Sequence, residues 1–255
     1  MTESPRETRV LDAVVSLVDS LLEDFDVIEL LTELTEQCAQ LLDVAAAGLL
    51  LADPRHRLHL MAATSESSRD LELFQLQSDE GPCLDCYTSG QSVSVADLAE
   101  EKTRWPQFVE AATAEGFGSV HAVPMRAGGA VLGALGLFGT NAGELNHADL
   151  LVAQALAHIA TVAILQEHPA TPVTVLPSLR TALTSRIIVE QAKGYLRERL
   201  NVSVEDAFGL LRRHARDQGE HLTEVARLLI HDPPQRDTIL SALRRDSTAP
   251  SGPQT

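Results

Sequence analysis

Two thiols three residues apart, in Cys83-Leu-Asp-Cys86, are the first place where residue type and spacing point to chemistry. Such a pair can cycle between dithiol and disulfide, supply half of a zinc site, or respond to a ligand. A structural zinc asks for four ligands, and the chain has three cysteines, the third being Cys38. His56, His59 or His121 would have to complete the set, and nothing in their spacing requires it. Gly81-Pro82 lets a helix begin at Cys83, as a thioredoxin-type pair would want, while plain packing of two small apolar side chains explains the same residues. Cys83 and Cys86 are therefore candidate sensing residues, and no catalytic or metal-ligating residue is assigned. The nucleotide and acyl-transfer motifs are missing: no Gly-x-Gly-x-x-Gly between strand and helix, no P-loop, no Gly-x-Ser-x-Gly elbow.

A second cluster is basic and helical. Arg186, Lys193, Arg197 and Arg199 stud one stretch, and Arg212, Arg213 and Arg216 the next, with Arg212 and Arg216 one turn apart. At Gln191-Ala-Lys-Gly194 the helix is stripped to small residues beside one lysine. A glycine inside a helix costs ~1 kcal/mol against alanine, so a packed helix or a nucleic-acid backbone is expected to come close there. The competing reading is a solvated face balanced by Glu190, Glu198, Glu205 and Asp206.

These residues need elements to carry them. Glu7–Leu22 reads as a helix, and Leu11, Val14, Val18, Leu21, Phe25 and Ile28 continue a 3-4 stripe that suits helix pairing or a sheet-covering face. Val27–Leu42 is a second amphipathic helix, with Asp24 or Asp26 able to cap it. Val44–Ala52 and Leu58–Ala62 read as a hairpin turning at Asp53-Pro54, and Ser65–Glu72 is polar. A short helix at Gly81–Ser89, a short strand at Gln91–Val95 and a helix at Trp105–Glu115 follow. Ser119–Met125 and Ala130–Phe138 are strands, thinned at Gly133 and Gly136, before a long helix at Asn146–Gln166. Strands that follow strands directly favour an antiparallel sheet with helices against it. Pro169, Pro172 and Pro177 mark a linker, and Arg180–Leu200, Val204–Gln218 and His221–Ile230 are three helices, the last stopped by Asp232-Pro233-Pro234.

Charge separates the halves. The chain has 255 residues with 20 Lys and Arg against 36 Asp and Glu, net −16. Residues 1–169 hold 8 basic and 26 acidic groups, net −18, and residues 170–255 hold 12 and 10, net +2. A protein that coats DNA or an anionic membrane by overall charge is excluded; a small nucleic-acid-binding domain at the C-terminal end is not. No basic segment leads into an apolar one at the start, and no run reaches the ~18 apolar residues of a membrane span, so a cytoplasmic chain with no membrane partner is expected.

From Leu183 to about Ile230 the sequence resembles the ANTAR domain. The likeness rests on Gln191-Ala-Lys-Gly194 in a long helix, on Ala207, Phe208, Leu211, Arg212 and Ala215 in the next, and on Leu222 and Ala226 in a short third. Tyr195 and Asn201 depart mildly from that pattern. The resemblance implies RNA binding to paired stem-loops in nascent transcripts and prevention of transcription termination. Carried over, Gln191, Ala192, Lys193, Gly194, Arg197, Ala207, Arg212, Arg213, Ala215 and Arg216 form the RNA-binding set, with Lys193 and Arg212 as contacts. Residues from about Asp24 to Leu165 resemble a GAF domain of the actinobacterial kind that precedes ANTAR domains. Glu80-Gly-Pro-Cys-Leu-Asp-Cys-Tyr, Arg104-Trp-Pro, Gly118-Ser-Val-His-Ala-Val-Pro-Met and Val131-Leu-Gly-Ala-Leu-Gly-Leu-Phe carry that likeness.

The expected fold is thus an α+β GAF-like domain, an antiparallel sheet flanked by helices, followed by an all-α three-helix ANTAR domain. Residues 1–23 form a pairing helix, 24–166 the sensory domain, 167–178 a linker, 179–232 the RNA-binding domain, and 233–255 a largely disordered extension, with 246–255 a tail by composition. The implied protein is a homodimeric, signal-responsive antiterminator with no catalytic activity. Its signal is an unidentified small molecule or protein, and the GAF-like domain is the place for a small-molecule ligand. Two rivals stand beside it: a signalling module that docks on a protein without binding RNA, and a reductase using Cys83 and Cys86.

Overall fold

Asp26 decides where the first core helix begins. Its Oδ1 accepts the backbone N–H groups of Ile28 and Glu29 at 2.9 and 3.1 Å, capping α2 (Val27–Leu41) and separating it from α1 (Arg6–Leu22). The stripe expected to run on from Leu11 to Ile28 is broken at residues 23–26, which are not helical. On α1 the fold buries Ala13 and Leu17 and leaves Leu11, Val15, Val18 and Leu22 outside. The outward seam is therefore offset by one residue from Val14 and Leu21. This description comes from a computed structural model that describes residues 6–166 and 175–248.

After α2 come β1 (Ala46–Ala52) and β2 (Leu58–Ala63), joined by a turn in which Asp53 Oδ1 accepts the N–H groups of Arg55 and Arg57. Ser65–Glu72, polar as it is, belongs to a helix, α3 (Glu66–Ser78). The Ser65 hydroxyl accepts the Ser68 N–H and the Ser68 hydroxyl accepts the Ser65 N–H, a reciprocal cap that starts it without an apolar stripe. The chain continues through α4 (Pro82–Ser89), β3 (Val93–Val95), a 3₁₀ turn at Leu98–Glu101, α5 (Pro106–Ala114), β4 (Ser119–Ala127), β5 (Ala130–Gly139) and α6 (His147–Gln166). The five strands form one antiparallel sheet in the order β2-β1-β5-β4-β3.

Alternation along the strands assigns the two faces. Ala46 and Leu50 of β1, Val120 and Ala122 of β4, and Ala134 and Phe138 of β5 pack with side chains from α3, α4 and α5. Their neighbours Leu49, Leu51, Val123, Leu135 and Leu137 are buried on the other face, where α2 lies against β1 and β2 and α6 against β4 and β5. α1 packs outside this layer on α2 and α6. Arg6 ties it down, with Nε and Nη2 on the Leu41 carbonyl at 3.2 Å and Nη2 on the Asp149 carboxylate. α6 is one helix long and apolar enough by composition to cross a membrane, unlike the expectation from run length; half of that window is buried inside this fold.

The second unit begins within α7 (Val175–Leu200): compact units divide at Thr181 and Ala182. α7 starts five residues ahead of Arg180. Pro177 sits in its first turn, where a missing N–H removes no helical hydrogen bond. Of the expected linker 167–178, residues 167–174 lie outside the described residues and 175–178 are helical. α8 (Val204–Gln218), capped by Ser203 on the Asp206 N–H at 2.9 Å, and α9 (Leu222–His231) follow as expected.

The C-terminal extension departs from expectation, because Pro233–Thr248 is a further helix, α10. Asp232-Pro233-Pro234 ends α9 and starts α10 at once: two prolines suit the first helical positions, and Asp232 Oδ1 accepts the N–H of Gln235 at 3.2 Å. Ile239, Leu240 and Leu243 then bury themselves, and α10 lies against α8 and α9. Each such side chain contributes about 1.5–3 kcal/mol when fully buried, enough to hold a helix that composition reads as tail. The three expected helices thus have a fourth. Residues 249–255 lie outside the described residues.

Candidate functional site

Beneath α3 and α4 the sensory domain encloses a polar cluster. Cys83, in the first turn of α4, is fully buried, and its thiol lies 3.6 Å from Glu72 Oε1 on α3. The Cys83 N–H donates to Gln75 Oε1 at 3.1 Å, and Gln75 Nε2 donates to Glu72 Oε2. Space for the carboxyl comes from two glycines that face each other across β1 and β5, Gly48 and Gly136. A Cβ at Gly48 would stand 2.7 Å from Glu72 Oε1, and one at Gly136 would stand 2.6 Å from the same oxygen. The thin strand noted in the sequence is thus the floor under a buried acid.

Burial dominates the electrostatics of this cluster. It pushes Glu72 up to about 8, with hydrogen bonds from Cys83 and Gln75 pulling the other way. Cys83 is pushed well above the usual thiol value by burial, then by the nearby Glu72 and Cys86. Cys86 rises to about 12 by burial, opposed by Arg126, and Cys38 also rises to about 12. At neutral pH all three are thiols, weak as nucleophiles and as metal ligands. The histidines weighed as zinc partners are engaged elsewhere: His56 Nδ1 with the Tyr87 hydroxyl and His59 Nε2 with Asp53.

His121 faces the opposite side of the sheet. It is buried, its Nδ1 has no hydrogen-bond partner among the described residues, and it helps line a cavity of about 250 Å³ with Asp43, Ser119, Asn141 and Glu144. Burial lowers its pKa, against the Gly143 carbonyl and Glu144.

In the second unit the expected RNA-binding residues split between core and surface. Ala192, Ala207 and Ala215 are fully buried and serve packing. Lys193 is only 8% exposed: Nζ lies 2.8 Å from Glu190 Oε1 and 5.2 Å from the centre of the Phe208 ring on α8. Glu190 also holds Arg186 at 2.7 Å. Gln191, Gly194, Arg197, Arg213 and Arg216 are exposed, and Arg212 is half-buried. One arrangement adds to Tyr195 and Arg199 a residue the sequence did not single out, Arg236. The half-buried Tyr195 ring has the Arg199 guanidinium 5.4 Å from its centre and the Arg236 guanidinium, from α10, at 5.5 Å. Glu72 and Gln75 were missed as well; their only sequence signal is a carboxyl and an amide three residues apart ahead of Cys83.

Against known proteins, residues 26–165 match the family model for the GAF domain and residues 178–230 that for the ANTAR domain. Among solved structures the chain is similar to the GAF domain of a Coxiella burnetii phosphoenolpyruvate-protein phosphotransferase, with TM-score 0.52 and 16% identity over 64% of this chain and 96% of that one. It is also similar to free methionine-R-sulfoxide reductase from Neisseria meningitidis in complex with its substrate, with TM-score 0.51 and 16% identity over 71% and 96%. At these identities the likeness is one of fold. No curated protein matches the chain.

Proposed function

The chain belongs to the GAF-domain family and carries an ANTAR domain behind it, and on that footing we propose that it is a signal-responsive RNA-binding regulator that prevents transcription termination. GAF domains are signal sensors and ANTAR domains are RNA-binding antiterminators. The observation that carries the reading is the second unit: a packed helical core whose surface presents Arg197, Arg199, Arg213 and Arg216. These cations sit in the half of the chain with net charge +2. Guanidinium groups suit phosphate, and paired stem-loops call for two such faces.

Two copies of the chain would supply them. The α1 seam, with Leu11 65% and Leu22 78% exposed, and Leu151 and Val162 on the outer side of α6 are apolar surfaces at helical spacing. They support a homodimer paired through sensor helices. A signal works on such a dimer only by binding its arrangements unequally. The buried, protonated thiols favour a sensing or packing role for Cys83 and Cys86 over a reductase. Such a regulator acts where transcripts are made, in the cytoplasm.

The test is a titration of the full chain with RNA bearing two small stem-loops, at two salt concentrations, with light scattering alongside. Salt-sensitive binding that is lost with a single stem-loop is the expected result. A folded protein with no affinity for this RNA at either salt would turn the reading to the protein-docking module.

A further inference from the structure

The Gln191-Ala-Lys-Gly194 segment is divided by the fold. Ala192 and Lys193 go into the domain, and Gln191 and Gly194 stay on the surface. For Gly48 and Gly136 the structure itself supplies the reason for a glycine, because side-chain atoms already occupy the space of a Cβ. At Gly194 it supplies none: an added Cβ meets nothing within 4 Å, and the residue lies inside a regular helix. A glycine there weakens the helix, and no internal contact requires it. Among the described residues nothing fills that space, so the bare backbone at Gly194 admits a close approach from outside.

What borders Gly194 indicates what can approach it. Gln191, Tyr195 and Arg199 follow at intervals of four along one side of α7, and Arg197 is three residues on along the other. α10, which lies beyond the residues matched by the ANTAR family model, brings Arg236 to the same tyrosine. Arg236 is fixed there by donating from Nε to the Leu229 carbonyl at 2.8 Å and from Nη2 to the Ile230 carbonyl. Two guanidinium groups, Arg199 and Arg236, therefore share the Tyr195 ring on one side of the bare position and Arg197 lies on the other, with Glu198, four residues on from Gly194, as the acidic neighbour. Planar guanidiniums around a half-buried tyrosine suit a polyanion better than an apolar partner.

We infer that the sugar-phosphate backbone of the bound RNA crosses α7 at Gly194, held by Arg197, Arg199 and the α10 residue Arg236, with Gln191 and Tyr195 alongside. The RNA face is then the α7–α10 edge rather than Lys193, and α10 is part of the binding module. This rests on the RNA-binding reading above.

The experiment measures full-length wild-type protein, Gly194→Ala, Arg199→Gln and Arg236→Gln against the two-stem-loop RNA at several salt concentrations, with melting temperature and light scattering for each. Gly194→Ala is expected to melt at or above the wild-type temperature while binding RNA about tenfold or more weakly. Arg199→Gln should weaken binding several-fold and flatten the salt dependence by roughly one phosphate contact. Arg236→Gln should act in the same way, and since it also loosens α10, Arg199→Gln keeps the test valid if that variant melts early. If wild type binds and Gly194→Ala and Arg199→Gln bind equally well, the proposed face is wrong and the RNA-binding reading stands. If Gly194→Ala changes the dimer equilibrium and leaves RNA affinity alone, the bare helix faces a second copy and the inference fails. No binding by wild type overturns both.

Discussion

Glu72 and Cys83 meet inside the sensor domain, the thiol of one 3.6 Å from a carboxyl oxygen of the other, with no part of either residue exposed. A carboxyl survives such burial by keeping its proton, here with Gln75 and Cys83 donating to its two oxygens. The pair locks α3 and α4 together over the sheet, so anything that charges Glu72 strains that side of the domain.

This gives a pH dependence of definite sign. Burial raises Glu72 from 4.5 to about 8 in the folded protein, so the native state holds a proton that the unfolded chain releases at lower pH. Its contribution is complete below about pH 4.5 and is lost as pH rises through about 8, a difference of at most roughly 5 kcal/mol by linkage. Trp105, buried in the same domain, is the chain's one tryptophan and reports this domain alone. Followed by its fluorescence, the melting temperature of wild type should fall relative to that of Glu72→Gln between pH 5 and pH 8, since His121, whose lowered pKa makes the domain gain stability as pH rises, acts alike in both. Equal slopes for the two would mean that Glu72 ionises without consequence.

The glycine floor can be tested by a double-mutant cycle. The three nearest atoms to a Cβ at Gly48 all belong to the Glu72 side chain, the closest at 2.7 Å. Gly48→Ala alone should cost about 1–3 kcal/mol by overpacking. Added to Glu72→Ala it should cost much less, because the methyl enters space the carboxyl has left. Denaturant unfolding monitored at Trp105 measures all four corners; strictly additive costs would show that the two residues do not compete for that space.

Most of the framework was legible from the chain. Apolar runs bounded by turn residues marked both hairpins, and Asp26 and the Asp53-Pro54 turn fell where the structure uses them. α3 and α10 were hidden for opposite reasons. α3 is started by a serine–serine cap and turns a glutamate and a glutamine inward, which a polarity pattern assigns to solvent. α10 follows two prolines that read as a stop but occupy the first turn of a new helix. The site residues split in the same way. Family likeness pointed to Gln191–Gly194, yet only three-dimensional packing divides Ala192 and Lys193 from Gln191 and Gly194, and only α10 brings Arg236 to Tyr195.

If α1 is the pairing helix, its outer seam must matter to assembly and not to folding. Leu11 and Val18 are 65% and 40% exposed, so replacing both with glutamate removes little buried surface within one chain. Leu11→Glu with Val18→Glu should shift the protein from dimer to monomer by light scattering while Trp105 fluorescence and helical content stay unchanged. A dimer of undiminished stability would assign the interface to other surfaces.

Lys193 separates a structural from a contacting role. Its ammonium is held by Glu190 and lies over Phe208, so Lys193→Ala should destabilise the helical unit, by about 1–3 kcal/mol for a mostly buried charged hydrogen bond and its packing. Arg186 still holds Glu190 after the change, which limits the loss. Lys193→Met keeps the apolar stem and should recover part of that stability. If the lysine acts through the fold, Lys193→Met binds the two-stem-loop RNA within about threefold of wild type, and its salt dependence is unchanged because no phosphate contact has gone. A tenfold loss with a flattened salt slope in a stable Lys193→Met protein would instead bring the ammonium out of its pocket and onto the RNA. The salt slope makes the distinction, because a merely loosened domain loses affinity by the same factor at every salt concentration.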